Sequence, residues 1–266
     1  QSDVMVNGLD FFPTILALTD SEKPTDKHLD GIDISNLLLT DPTNASLVLE
    51  ADGSVRDTMM WHFPNSIALE STLRIGDYKL VRNYDHVNNK YSPELELFRL
   101  YETQNGKQVR GDIEEAHNLA DSMPEKAQAM NQRLTQVLEE MQASYPYYNP
   151  DYKFPLPNKE NVCTVLTGVQ QGDTVEFTYQ ENGAKVLRAN LLYTLNGGDR
   201  YEEWFRTPAK LMPEGKVTAQ IPEGSTHVVI NLIDENQFLV SYPEVVDMMT
   251  RSKTKVNYSE TAMPVR

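Results

Sequence analysis

Apolar residues recur along this chain at helical spacing in two places and at alternating spacing in many more. The first helical stretch is residues 8–18, GLDFFPTILAL, where Phe12, Ile15 and Leu16 fall on one face and Phe11, Ile15 and Leu18 widen it. A helix that is apolar nearly all the way round needs cover on more than one side. Asp10 is the expected N-cap, and Pro13 suits the first turn, where its missing N–H is not needed. Residues 20–44 read as loop, with two proline turns around a short helical segment at Ile34–Leu39. Residues 57–63 read as a strand. Residues 71–81 form a tight hairpin with Gly76-Asp77 at the turn, Ile75 facing Tyr78 and Leu73 facing Leu80. Residues 94–102 supply another strand. Ser122-Met-Pro-Glu125 has the form of a capping box, and Ala127, Met130, Leu134, Val137, Leu138 and Met141 follow at helical spacing. This half therefore predicts an α+β arrangement, a small antiparallel sheet packed with one long C-terminal helix.

Residues 145–160, rich in Pro and Tyr and without periodicity, read as an extended connection, with the linker proper at 151–160. Beyond it come seven short β runs with turn signals between them, over residues 161–245. Their number and spacing predict an all-β sandwich of immunoglobulin or fibronectin type. Residues 246–266 read as a loose tail.

Charge and chemistry narrow the function. The 39 acidic against 24 basic residues give a net charge of −15, which argues against a general nucleic-acid binder or a binder of anionic membranes. An anionic substrate stays compatible, since a small basic pocket can sit within an acidic surface. Cys163 is the sole cysteine, so no intrachain disulfide forms. No apolar run approaches the roughly 20 residues that span a bilayer. The chain opens on Gln with no signal-peptide pattern and is expected to be processed or a fragment. There is no nucleotide-binding glycine loop, HExxH, CxxC or GxSxG motif, and the five histidines lack metal-ligand spacing. No catalytic residue and no metal ligand is identified in the chain.

Six segments occur in a telling order: LDFFPTILAL, LDGIDISNLL, MMWHFP, LRIGDYKLV, ELFRLYE and EEAHNLADSMPEKAQAMNQRL. Together, over about residues 4–150, they resemble the C-terminal part of a type I sulfatase, an arylsulfatase-like member of the alkaline phosphatase superfamily. The resemblance implies that residues 1–40 are the last helix and connector of a missing α/β domain and that residues 41–150 are the sulfatase C-terminal subdomain. The sandwich would be an appended accessory domain. It further implies a parent hydrolase of sulfate esters, acting on sulfated carbohydrates, in a periplasmic or secreted setting. Such enzymes use a formylglycine made within a C/S-x-P/A-x-R motif and a calcium ion. Both belong to the missing domain, and Cys163, followed by Thr-Val-Leu-Thr, does not match that motif. The isolated chain is therefore expected to be inactive and to hold no cofactor.

Four residues are candidate substrate contacts. In the hairpin register Arg74 and Lys79 lie directly opposite, and like charges there are destabilising. Either a neighbouring carboxylate or plain solvation answers them, or Arg74, and less so Lys79, reaches a sulfate or uronate of the substrate. Trp61 and His62 are adjacent on a strand, so only one can face a cleft. His62 is expected outward, with Trp61 the alternative as a stacking platform. In the second half Tyr201, Trp204 and Arg206 could form a sugar platform or Trp204 could be core. Asp234 and Glu235 could bind calcium or simply shape a turn. The partners implied are the missing α/β domain, a sulfated carbohydrate, and a second copy of the chain through residues 8–18. Competing readings are a phosphodiesterase or phosphonate hydrolase fragment of the same superfamily, and a non-catalytic carbohydrate-binding or interaction module.

Overall fold

The computed structural model describes residues 4–65, 69–89, 91–105, 107–153, 155–244 and 256–266. The chain divides into two compact units, Gln1–Pro146 and Tyr147–Arg266.

The first unit opens with a 3₁₀ turn, Gly8–Asp10, that runs into helix α1 (Phe11–Leu18). Asp10 makes no cap bond to α1. Its carboxylate instead closes a capping box one turn earlier with Asn7, whose Oδ1 accepts from the Leu9 N–H. Helix α2 (Ser35–Leu39) follows, and Leu37, Ile34 and Val48 form a small core beside it. Strands β1 (Thr58–His62), β2 (Glu70–Ile75), β3 (Tyr78–Asn83) and β4 (Leu95–Arg99) then make one antiparallel sheet in chain order. Gly76 turns the β2–β3 hairpin at φ 53, a left-handed value that glycine adopts without strain. Leu73 pairs with Leu80, and Ile75 with Tyr78. Strands β5 (Tyr101–Gln104) and β6 (Lys107–Arg110) form a separate two-stranded ribbon.

Helix α3 (Pro124–Glu140) lays Ala127, Met130, Leu134 and Leu138 on Leu73, Leu80 and Leu97, all buried. Arg82 ties the same face to the helix through Asn131 and Thr135. The Ser122 capping box is absent. Met123 occupies the N-cap, Ser122 Oγ donates to the Leu119 carbonyl, and Pro124 starts the helix, where it needs no N–H partner.

In the second unit the strands are β7 (Thr164–Gln171), β8 (Thr174–Gln180), β9 (Val186–Thr194), β10 (Trp204–Met212), β11 (Lys216–Gln220), β12 (His227–Asp234) and β13 (Leu239–Tyr242). Their hydrogen-bonded order is β13-β12-β9-β10-β11-β8-β7, a single sheet that coils into a nearly closed barrel. Its core holds Val175, Phe177, Leu191, Val217, Val228 and Ile230. Strand β14 (Met263–Pro264) adds to the outer edge of β12.

The α+β class with a β-sandwich is thereby corrected. Among the described residues the chain is mainly β, 35% strand against 17% helix, its three α-helices are short, and no long helix ends it. The longest, α3, lies mid-chain. The sandwich fails for a local reason. Strand β10 pairs with β9 over Trp204–Ala209 and with β11 over Lys210–Met212, so one unbroken strand carries the ladder across the place where two sheets would separate.

Two segments expected to be irregular are built in. Tyr148, in the proline-tyrosine stretch, donates to the Gln237 carbonyl and accepts from the Leu239 N–H, and Leu156 is buried. Of the expected tail, residues 246–255 lie outside the described residues. Residues 256–266 return to the barrel, where Ser259 and Ala262 are buried and the Gln170 amide bonds both backbone groups of Arg266.

Candidate functional site

The four-stranded sheet has two faces, and strand alternation assigns the candidate residues to them. Met60 packs with the α3 core, so His62 shares the helix face, while Met59 and Trp61 lie on the other. The register sets Met59 opposite Arg74, Trp61 opposite Thr72, and Arg74 opposite Lys79. Trp61, Arg74 and Lys79 therefore share the face away from α3. Trp61 is 48% exposed on it.

His62 does not join them, and its expected outward orientation is corrected. Its Nε2 lies 2.8 Å from the Ser144 carbonyl and its Nδ1 2.6 Å from Ser71 Oγ. A carbonyl only accepts, so Nε2 carries the proton and Nδ1 accepts from the Ser71 hydroxyl. The ring also meets Tyr84 and Tyr145 edge-on at 6.4 and 6.1 Å. Strand parity forces this outcome once Met60 is core, and His62 is a tie between β1 and the segment after α3.

The opposed cations are answered in different ways. Lys79 Nζ makes a 2.7 Å ion pair with Glu115, the neighbouring-carboxylate alternative. Arg74 Nε donates to the Gly76 carbonyl at 3.1 Å, and its guanidinium lies 4.6 Å from the Tyr101 ring centroid. Among the described residues no carboxylate forms an ion pair with Arg74. A cation held by a ring face keeps its charge for another anion. An exposed indole beside such an arginine can stack on a sugar ring and pair with an acidic substituent.

Sequence reasoning missed the most buried polar cluster. Asp10 is fully buried, and its Oδ2 accepts from Arg56 Nη1 at 2.7 Å and from the Asn7 N–H at 2.8 Å, while Oδ1 accepts from the Ile32 N–H at 2.9 Å. Arg56 is nearly as buried, at 8% exposed, and also reaches Glu50 at 3.1 Å. Burial alone would raise the Asp10 pKa, but these donors, Arg56 foremost, outweigh it and hold the carboxyl below its ordinary value. Thr14 extends the cluster, donating to the Asp10 carbonyl and accepting from the Ile34 N–H. Gly31 is required here, because a Cβ would lie 2.0 Å from the Leu9 carbonyl oxygen. The one available signal was Asp30-Gly31, a turn pair close enough in sequence to fold back on the helix.

Among the described residues the side chains do not fit calcium, and Cys163 lacks the formylglycine motif. Among the described residues no group of His, Cys, Asp and Glu could hold a metal ion. Cys163 is buried, and burial, helped by Asp234 and Glu181, pushes its thiol up to about 11. In the second unit Trp204 is half-buried with its Nε1 on Glu202, and Tyr201 is 74% exposed beside Arg200. Asp234 closes a turn, its Oδ1 accepting from the Asn236 and Phe238 N–H groups.

No family model and no curated protein matches the chain. Among the described residues no helix is long and apolar enough to cross a membrane.

Proposed function

We propose that this chain is the C-terminal portion of a type I sulfatase-like enzyme, without catalytic residues of its own. It docks to the remainder of that enzyme through α1 and supplies Trp61 and Arg74 to the wall of a site for sulfated carbohydrate. The observation that carries the reading is the state of α1. Leu9, Phe11, Phe12, Ile15 and Leu18 are each at least half exposed, while Pro13, Thr14 and the Asp10–Arg56 pair fix the helix rigidly from beneath. An apolar patch held in place on a chain of net charge −15 marks an interface. The order of the six sequence segments supplies the family, and the unneutralised Arg74 beside an exposed indole supports an anionic sugar as ligand.

Affinity electrophoresis tests the site on the chain as it exists. A gel containing sulfated glycan should retard the protein, a gel containing the desulfated glycan should not, and Arg74→Ala should abolish most of the retardation. Equal mobility of the parent chain and Arg74→Ala in the sulfated gel removes Arg74 from the site. Retardation that survives Arg74→Ala and disappears in Tyr201→Ala places glycan binding on the second unit instead.

A further inference from the structure

Among the described residues, Asp234 is the acidic residue of the second unit that is buried without being satisfied. It is 3% exposed; Oδ1 accepts two backbone N–H bonds, at 2.9 Å each, and Oδ2 is buried with no hydrogen-bond partner. A charged carboxylate in that position leaves one oxygen stripped of water and of donors, which is costly. The neutral acid costs less, because Oδ1 keeps both bonds and the bare Oδ2 carries a proton instead of charge.

The surroundings favour the proton. Glu235, next in the turn, adds a like charge. Two cations flank this turn: Lys185 exchanges backbone bonds with Glu235, and Arg188 on β9 donates from Nη2 to Gln237 Oε1 at 3.2 Å. The turn itself receives the segment that enters the second unit. The Gln237 carbonyl and Leu239 N–H pair with Tyr148, and the Phe238 ring lies 5.6 Å from that of Tyr148.

We infer that Asp234 is a proton-binding site, and that its protonation makes the Asp234–Phe238 turn an acid-tightened clasp on the Tyr148 segment. The second unit takes up a proton as it folds, so its stability rises as pH falls. Burial raises the carboxyl above its ordinary 3.8, so the gain is complete below that value and is lost as pH rises through the raised one.

Carboxyl-carbon NMR on the intact chain reads the site directly. The Asp234 resonance should titrate with a midpoint above 3.8, and a midpoint at or below it overturns the inference. Asp234→Asn, which keeps the Oδ1 acceptor and mimics the neutral acid, is the second arm. In a Trp61→Phe background, where Trp204 is the sole tryptophan, Asp234→Asn should shift the urea midpoint upward at about pH 8 and by less at mildly acid pH. An equal shift at both pH values contradicts a proton-linked clasp. Should the variant fail to fold, the titration of the parent chain decides alone.

Discussion

Asp10 and Arg56 show how much a buried residue's role depends on partners far away in sequence. Asp10 read locally is an N-cap, and the capping chemistry is there, but on Asn7 rather than on α1. What the local pattern could not contain is Arg56, 46 positions on, whose guanidinium turns a buried carboxylate from a liability into a fixed point. Removing one member of such a pair strands the other, at a cost of about 3–5 kcal/mol. Arg56→Met should therefore lower the stability of the first unit by that amount, read from the Trp61 fluorescence transition in urea. A loss of less than about 1 kcal/mol, the level of an exposed pair, would show that water reaches the cluster. Trp61 and His62 make the converse case: adjacent residues of similar chemistry, separated by parity alone. That parity was legible, but which of the two faced inward depended on Met60 being core, a fact of packing.

Short elements were read well where chain-local geometry decides them. The β2–β3 register follows from a two-residue turn with Gly76, and the buried stripe of α3 follows from helical periodicity. Val137 and Met141 fell in the same periodicity, yet Val137 is only half-buried and Met141 is 52% exposed, because the helix ends at Glu140 and the sheet beneath it is four strands wide. Helix α1 carries a prediction of its own. Phe12 and Ile15 are 50% and 57% exposed, so replacing both with serine removes only the covered part of each side chain. Phe12→Ser/Ile15→Ser should lower stability by no more than about 3 kcal/mol, the covered half of two large side chains, while reducing any concentration-dependent association in sedimentation velocity. A large destabilisation would mean that the helix is covered within its own chain, and α1 would lose its standing as an interface.

The whole molecule was the least legible level. Seven strand positions in the second unit follow from alternation, but whether seven strands make two sheets or one depends on where ladders begin and end, and β10 alone decides it by pairing to both sides. No composition or spacing rule encodes that choice. The same scale holds the chain's acid response, since each unit carries a buried carboxyl and the two are shifted in opposite directions. Asp10 is held below 3.8 by its donors, so its contribution is fully present above that pH and is lost only as pH falls through the depressed value. Asp234 is raised, so its contribution grows over the range above 3.8. Glu202 sets a lower bound on that gain. It accepts from Ser259, Gly198 and Trp204, which overcome burial and hold it below 4.5, so the docking of residues 256–266 weakens under stronger acid. Between about pH 7 and 5, where most carboxylates stay ionised, the urea midpoint reported by Trp204 in Trp61→Phe should therefore rise. The midpoint reported by Trp61 in Trp204→Phe should stay flat over the same range. Midpoints that move together would show that general relief of the −15 charge, rather than two individual carboxyls, governs the response. A rise confined to Trp204 that vanishes in Asp234→Asn would tie it to one oxygen atom.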